Sequence, residues 1–263
     1  MPTLEARGVE IAWSERGRGR PVLLVHETAA TAAVWDPLAE SLAMEFRAIA
    51  YDRRGWGGSS EPDDYRRTTI EEQSEDAAAL IEATADDPAV VCGAGLGAVI
   101  ALDLLMRRSE LISAAVLIEP QLLQLIPVAT EALSQDRRRI EIAAANRENL
   151  IDVYLSGGLP ALGPGTSRTP GETASAARER PGSVLAELGI PAGWRMPLPR
   201  LAKAERPSAI VTAESTPPLL REASEALAAR LAQASPREVS SPQAPPHIGA
   251  AAKVASIVAE VSP

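Results

Sequence analysis

The 263-residue chain is poor in cysteine, histidine and aromatic residues. Its single cysteine, Cys92, excludes an intrachain disulfide, and its place at the end of an apolar run is typical of a small core side chain. Two histidines and one cysteine far apart give no metal-ligand spacing. We therefore expect neither a metal nor a cofactor.

Other missing features narrow the class of protein further. No apolar run approaches the ~20 residues that a membrane span needs, and the N-terminal stretch lacks the basic and apolar segments of a secretory signal. The net charge of −9 argues against a nucleic-acid partner, because phosphate binding needs clustered cations. We expect a cytoplasmic protein that binds neither nucleic acid nor membrane. A homodimer is compatible with the sequence.

Hydrophobic residues make up 46 % of the chain, which is enough for a sizeable core. Short apolar runs alternate with helical periodicity over the first 120 residues, which predicts a doubly wound parallel sheet. The predicted strands are 21–26, 47–52, 89–93 and 112–120, and the predicted helices are 33–46, 68–85 and 96–108. Thr68 or Thr69 is the expected N-cap of the second helix. Functional groups should lie where the strands end, at His26, Asp52, Gly93 and Glu119.

The remaining segments complete this organisation. Residues 8–20 are predicted to form an edge strand followed by a hairpin turn at Gly17 and Gly19. Residues 121–200 are helical, with a Gly/Pro/Ser/Thr-rich stretch at 156–176 that we interpret as a mobile lid loop. Strands at 207–212 and 237–240 and helices at 217–234 and 251–261 follow. The predicted domains are a core of 1–120 and 201–263 and a helical cap of 121–200.

The stretch "VVCGAGLGAV", residues 90–99, has the pattern of a nucleophile elbow, in which a strand turns sharply into a helix. With "LLVHETAATAAVWDPLAESL", "AIAYDRRGWGGSS" and "AAVLIEP" in the same order as in that family, the chain resembles the α/β-hydrolase superfamily. The resemblance implies an α/β fold with a mostly parallel eight-stranded sheet, flanking helices and an inserted helical cap.

The resemblance breaks down at the positions that carry the chemistry. Gly95 stands where the family has its Ser, Cys or Asp nucleophile, which excludes covalent catalysis through the elbow. Thr216 stands at the usual acid position, with Glu214 two residues before it. Ala244 matches the usual catalytic histidine, whereas His247 matches a second histidine and reaches the site only if the loop is shortened.

Three titratable residues are left as candidates for general acid or base, namely Glu27, Glu119 and His247. Glu27 replaces the glycine of the family's His-Gly pair, where a carboxylate would repel charge that develops in an oxyanion hole. It could instead pair with Arg53 or Arg54, or only order its loop. Glu119 follows the sixth strand, where some relatives carry their acid.

The residues predicted to bind substrate are those around the elbow and the aromatic side chains near it. The Leu96 N–H and the N-terminal dipole of its helix remain available to an anion, and the tryptophans could stack on a flat aromatic ring. The set is His26, Thr28, Trp35, Trp56, Gly95, Leu96, Tyr154 and Trp194.

These observations lead to one main hypothesis and two alternatives. The main hypothesis is a non-hydrolytic enzyme that positions a bulky hydrophobic small molecule for cyclisation or intramolecular C–C bond formation. The chain is similar in composition and in its eroded triad to actinobacterial natural-product tailoring enzymes, which implies a polycyclic, polyketide-type substrate in antibiotic biosynthesis. The alternatives are a hydrolase or epoxide hydrolase that uses Glu119 with His247, and a pseudoenzyme that binds a ligand or a partner.

Overall fold

The computed structural model describes residues 1–159, 161–162 and 171–263, without the side chains of residues 172, 191 and 192. Eight strands form one sheet in the order β1-β2-β4-β3-β5-β6-β7-β8. They are β1 (Thr3–Ala6), β2 (Val9–Gly17), β3 (Arg20–Val25), β4 (Phe46–Tyr51), β5 (Ala89–Ala94), β6 (Ile112–Ile118), β7 (Ser208–Ala213) and β8 (Ala234–Val239). The β1–β2 and β2–β4 pairs are antiparallel and the others parallel, which confirms the predicted mostly parallel eight-stranded sheet.

Helices cover both faces of the sheet, and several of them lie among the described residues between β6 and β7. They are α1 (Asp36–Leu42), α2 (Ile70–Thr84), α3 (Leu96–Arg107), α4 (Ala129–Ala145), α5 (Leu150–Leu155), α6 (Gly171–Glu179), α7 (Pro181–Leu188), α8 (Ile190–Gly193), α9 (Leu198–Leu201), α10 (Pro218–Ala228), α11 (Pro246–Gly249) and α12 (Ala251–Val261). The predicted helix at 33–46 is a 3₁₀ turn at Ala32–Trp35 followed by α1, and α10 ends six residues before the predicted 234. Thr69 caps α2.

The prediction of an edge strand and a hairpin at Gly17 and Gly19 is wrong. β2 is second from the edge, and β4 separates it from β3, so this turn is a crossover. The hairpin joins β1 to β2 instead. The two glycines are needed because the turn passes close to the backbone at the start of β4. Gly17 has φ +84°, and a Cβ on it would lie 2.3 Å from the Phe46 carbonyl oxygen.

Alternation along the central strands divides the core into two layers. Leu23 and Val25 point to the face covered by α2 and α3, whereas Val22 and Leu24 point to the face covered by α1 and α12. All four side chains have no exposed surface, as expected for parallel strands buried on both faces. This packing fixes the strand ends, and therefore the loops that follow them.

The helices α4 to α9 between β6 and β7 are called the cap below. They lie within the predicted cap of 121–200 apart from the last residue of α9, and the domain boundaries themselves stay a prediction. Part of the Gly/Pro-rich stretch, 160 and 163–170, lies outside the described residues. None of the helices in the described part of the chain has the length and apolar character needed to cross a membrane.

Candidate active site

The turn between β5 and α3, residues 93–97, keeps the backbone of a nucleophile elbow. Gly95 has φ 54° and ψ −116°, a conformation that glycine adopts at little steric cost. A Cβ on Gly93 would lie 2.3 Å from the Gly97 carbonyl oxygen, and a Cβ on Gly97 would lie 2.1 Å from the Val25 carbonyl oxygen. The flanking glycines are therefore required for the turn, while half-buried Gly95 sits at its tip.

The Glu27 side chain occupies the space over the tip of the elbow. A Cβ on Gly95 would lie 3.1 Å from the Glu27 Cβ and 3.3 Å from its Oε2. Gly95 is also the N-cap residue of α3, so the carboxylate stands at the positive end of that helix. The structure thus places the Glu27 carboxylate beside the tip of this turn.

His26 holds the backbone of Glu27 in place. Its Nε2 accepts a hydrogen bond from the Arg53 backbone N–H at 2.9 Å, so its proton is assigned to Nδ1, which donates to the Glu27 carbonyl oxygen at 2.8 Å. Burial and the nearby Arg53 charge lower the pKa of His26 well below its ordinary value, so the ring is neutral. Its hydrogen bonds here join the loops after β3 and β4, and its role in substrate binding stays a prediction.

Glu119 borders the elbow on the side of β6. It follows that strand directly and has φ 47°, and the Gly95 N–H donates to the neighbouring Ile118 carbonyl oxygen at 3.0 Å. The Thr216 hydroxyl donates to Glu119 Oε1 at 2.6 Å. The residue at the usual acid position therefore contacts the carboxylate that the sequence offered as a substitute. Glu214, in contrast, is exposed and accepts a hydrogen bond from the Ser241 N–H at 2.9 Å.

His247 lies on α11 and has no exposed surface. Its ring contacts Trp35 with the centroids 4.6 Å apart and the planes tilted by 44°. Trp35 is also fully buried, in the 3₁₀ turn that follows the Glu27 loop. The structure therefore brings these two predicted site residues together, and their roles toward a substrate stay predictions.

Tyr154 of α5 brings the cap toward Glu27. The residue is buried, and burial together with the charges of Glu27 and Glu187 raises the pKa of its hydroxyl. The phenol therefore remains protonated and can donate a hydrogen bond. Its side chain belongs to the hydrophobic cluster that includes Ala29 and Trp56, and its role in substrate binding stays a prediction.

Glu187 is a buried carboxylate on α7 that the sequence did not single out. It accepts hydrogen bonds from the Thr28 hydroxyl at 2.6 Å, from the Arg53 guanidinium at 2.6 and 3.1 Å, and from Trp56 Nε1 at 2.9 Å. Trp56 is fully buried and Thr28 half-buried. The available signal was an acid at 187, on the same helical face as the buried Ser183 and one turn from it.

The two remaining predicted residues lie on the other side of the elbow and in the cap. Leu96 is the first residue of α3, so its N–H has no partner within the helix. Trp194 is buried in the hydrophobic cluster that includes Leu123 and Ile190. Their substrate-binding roles stay predictions.

A family model described as alpha/beta hydrolase family matches residues 22–252 of this chain, including the elbow and the strands on both sides of it. The chain belongs to the alpha/beta hydrolase family.

The curated relatives match over a limited part of the chain. YraK of Bacillus subtilis, described as an uncharacterized hydrolase, is 36% identical over 124 residues, which are 47% of this chain and 46% of YraK. The match thus spans less than half the length of that relative.

Solved structures match over almost the full length. An alpha/beta hydrolase from Sphaerobacter thermophilus is 23% identical, with a TM-score of 0.69 over 97% of this chain and 99% of that one. An epoxide hydrolase from Vigna radiata is 22% identical, with a TM-score of 0.73 over 98% and 96%. At these identities the likeness shows the fold.

Proposed function

We propose that this alpha/beta hydrolase family member is a non-hydrolytic enzyme. It positions a bulky hydrophobic small molecule over the elbow and uses Glu27 as general acid/base, without a covalent intermediate. The observation that carries the proposal is the Glu27 carboxylate at 3.3 Å from the Cβ position of Gly95.

Two physical reasons speak against the usual two-step hydrolysis. Gly95 has no side chain that could form an acyl-enzyme. The Glu27 carboxylate also places a negative charge beside the helix N-terminus that would otherwise bind an oxyanion. A second negative charge about 4 Å away would be repelled by about 1 to 4 kcal/mol in a hydrated site, which opposes the stabilisation that an oxyanion hole supplies.

The same groups suit a proton-transfer reaction within one bound molecule. Glu27 would take a proton from carbon next to a substrate carbonyl, and the resulting enolate would form a C–C bond to a second carbonyl carbon of the same molecule. Protonated Glu27 would then return the proton to the alkoxide that forms. The protonated Tyr154 hydroxyl can donate a hydrogen bond to the developing oxygen charge. Orientation supplies ~7–11 kcal/mol and a positioned base ~10²–10⁴-fold. A polycyclic, polyketide-type substrate is proposed from the resemblance to tailoring enzymes.

The base function can be tested without the natural substrate. The ring opening of 5-nitrobenzisoxazole, a flat aromatic compound, needs only proton abstraction by a base. We expect the protein to open the ring faster than free acetate does at equal concentration. The rate should fall by about 10²-fold or more in Glu27→Gln. Glu148→Gln, which removes a carboxylate charge at the surface of the cap, should leave the rate unchanged. Equal rates in wild type and Glu27→Gln, or no turnover above acetate, would overturn the proposal.

A hydrolase with rearranged groups is the second candidate, because Glu119 and Thr216 form a buried hydrogen-bonded pair beside the elbow. In that case Glu119 would work with His247 as the acid and base. Gly95→Ser restores a hydroxyl at the tip and separates the two candidates. Turnover of p-nitrophenyl acetate with one ¹⁸O from labelled water in the acetate would favour the hydrolase, and an inert variant favours the non-hydrolytic enzyme.

A further inference from the structure

We infer that Glu187, on the cap helix α7, is a positioning residue that couples docking of the cap to the placement of the Glu27 carboxylate. The inference rests on the proposed role of Glu27 and extends it to a residue that never contacts the substrate. Two sets of hydrogen bonds connect the Glu187 carboxylate to the backbone around Glu27, one through Thr28 and one ending at the Glu27 carbonyl oxygen.

The first set is short. The Thr28 hydroxyl donates to Glu187 Oε2 at 2.6 Å, and Thr28 directly follows Glu27. Glu187 belongs to the cap and Thr28 to the loop after β3, 159 positions apart in sequence. One hydrogen bond thus joins the cap to the residue next to the proposed base.

The second set runs through Arg53 and His26. The Arg53 guanidinium donates to both Glu187 oxygens, at 2.6 and 3.1 Å. The Arg53 backbone N–H donates to His26 Nε2 at 2.9 Å, and His26 Nδ1 donates to the Glu27 carbonyl oxygen at 2.8 Å. Glu27 and Thr28 are therefore both held by groups that depend on the same cap carboxylate.

Burial makes this arrangement depend on a docked cap. The Arg53 and Glu187 side chains are each 1% exposed, so undocking α7 would leave the guanidinium without this counterion. The same helix is also held by the Ser183 hydroxyl, which donates to the Gly55 carbonyl oxygen at 2.7 Å. Docked α7 therefore supplies a charge that the loops after β3 and β4 need.

The position of Glu27 can be measured with a thiol at the elbow. In Gly95→Cys the introduced thiol stands beside the Glu27 carboxylate. The native Cys92 is fully buried, and burial raises its pKa, so it stays unreactive. The rate of alkylation by iodoacetamide, followed from pH 6 to 10, gives the apparent pKa of the introduced thiol. A carboxylate in contact raises this pKa by about one pH unit or more relative to the Glu27→Gln double variant.

Four variants in the Gly95→Cys background test the coupling. Glu187→Gln should lower the apparent thiol pKa at least halfway to the value with Glu27→Gln, because Glu27 is no longer held at the elbow. Glu187→Asp, which keeps the charge, should lower the apparent thiol pKa by less than Glu187→Gln does. Glu148→Gln removes a carboxylate from another bidentate arginine pair of the cap and should change nothing. An unchanged thiol pKa in Glu187→Gln, or in Glu27→Gln, would overturn the inference.

If Glu187→Gln does not fold, Thr28→Val takes its place, because it removes one hydrogen bond and leaves the Arg53–Glu187 pair intact. A lowered thiol pKa is expected, and an unchanged one again overturns the inference. The two proposals fail separately. If Glu187→Gln leaves the thiol pKa unchanged but Glu27→Gln slows the reaction of 5-nitrobenzisoxazole, the proposed function stands and the positioning role fails. If Glu187→Gln lowers the thiol pKa but Glu27→Gln does not slow that reaction, the positioning role stands and the proposed function fails.

Discussion

A methyl group added at Gly95 tests whether the Glu27 side chain lies over the tip of the elbow. Gly95→Ala places a Cβ at a residue with φ 54°, 3.1 Å from the Glu27 Cβ. The left-handed backbone costs a non-glycine residue about 1–2 kcal/mol. The tight contact adds about 1 kcal/mol, the low end of the cost of overpacking, because half-buried Glu27 can shift by a few tenths of an ångström. We expect Gly95→Ala to lower the free energy of unfolding by about 2–3 kcal/mol.

Gly8→Ala is the matched control. Gly8 lies in the β1–β2 hairpin with φ +77°, and a Cβ there would have no atom within 4 Å. Both variants place a Cβ at a positive φ and reduce the entropy of the unfolded chain, whereas only Gly95→Ala adds a contact with Glu27. Urea unfolding followed by circular dichroism gives both values, and the extra cost at Gly95 should fall in a Glu27→Gly background.

Two results would refute this reasoning. If Gly95→Ala is as stable as the wild type, the elbow does not hold the strained backbone described above. If Gly95→Ala and Gly8→Ala lose the same stability with or without Glu27, the carboxylate does not lie over the tip.

Three further predictions follow from individual contacts. Folded Cys92 should not react with iodoacetamide at pH 8, because burial raises its pKa, and should react fully in urea; modification of the native protein would contradict its burial. Folded His26 has a lowered pKa. When the pH falls below the ordinary histidine pKa of about 6.5, only the unfolded chain gains the proton, so the free energy of unfolding falls by up to about 1.4 kcal/mol per pH unit. His26→Asn should remove that part of the slope in urea unfolding between pH 7.5 and 5.5, and an identical slope would refute the assignment. Thr216→Val removes the hydroxyl that donates to Glu119 and should cost about 1–3 kcal/mol, whereas Thr216→Ser should keep most of the stability; equal losses would show that the hydrogen bond is not the cause.

Local patterns in the sequence predicted the sheet and the elbow because their causes are local. Apolar runs of strand length and helical periodicity report burial directly, and the Gly-x-Gly-x-Gly spacing of 93–97 reports a turn too tight for side chains. The hairpin at Gly17 failed for the opposite reason. Two adjacent strands in sequence need not pair, and only the sheet shows that β4 lies between β2 and β3.

The sequence by itself determined that residue 95 is a glycine, which has no side chain that could act as a nucleophile. It also offered Glu27 and Glu119 as candidates, because residue type and position after a strand are visible in one dimension. Only the tertiary structure decided that Glu27 stands over Gly95 and that Glu119 meets Thr216. The same holds for Glu187, which accepts hydrogen bonds from residues more than 100 positions away in sequence. Such contacts depend on how the cap packs on the strand ends, which no local pattern records.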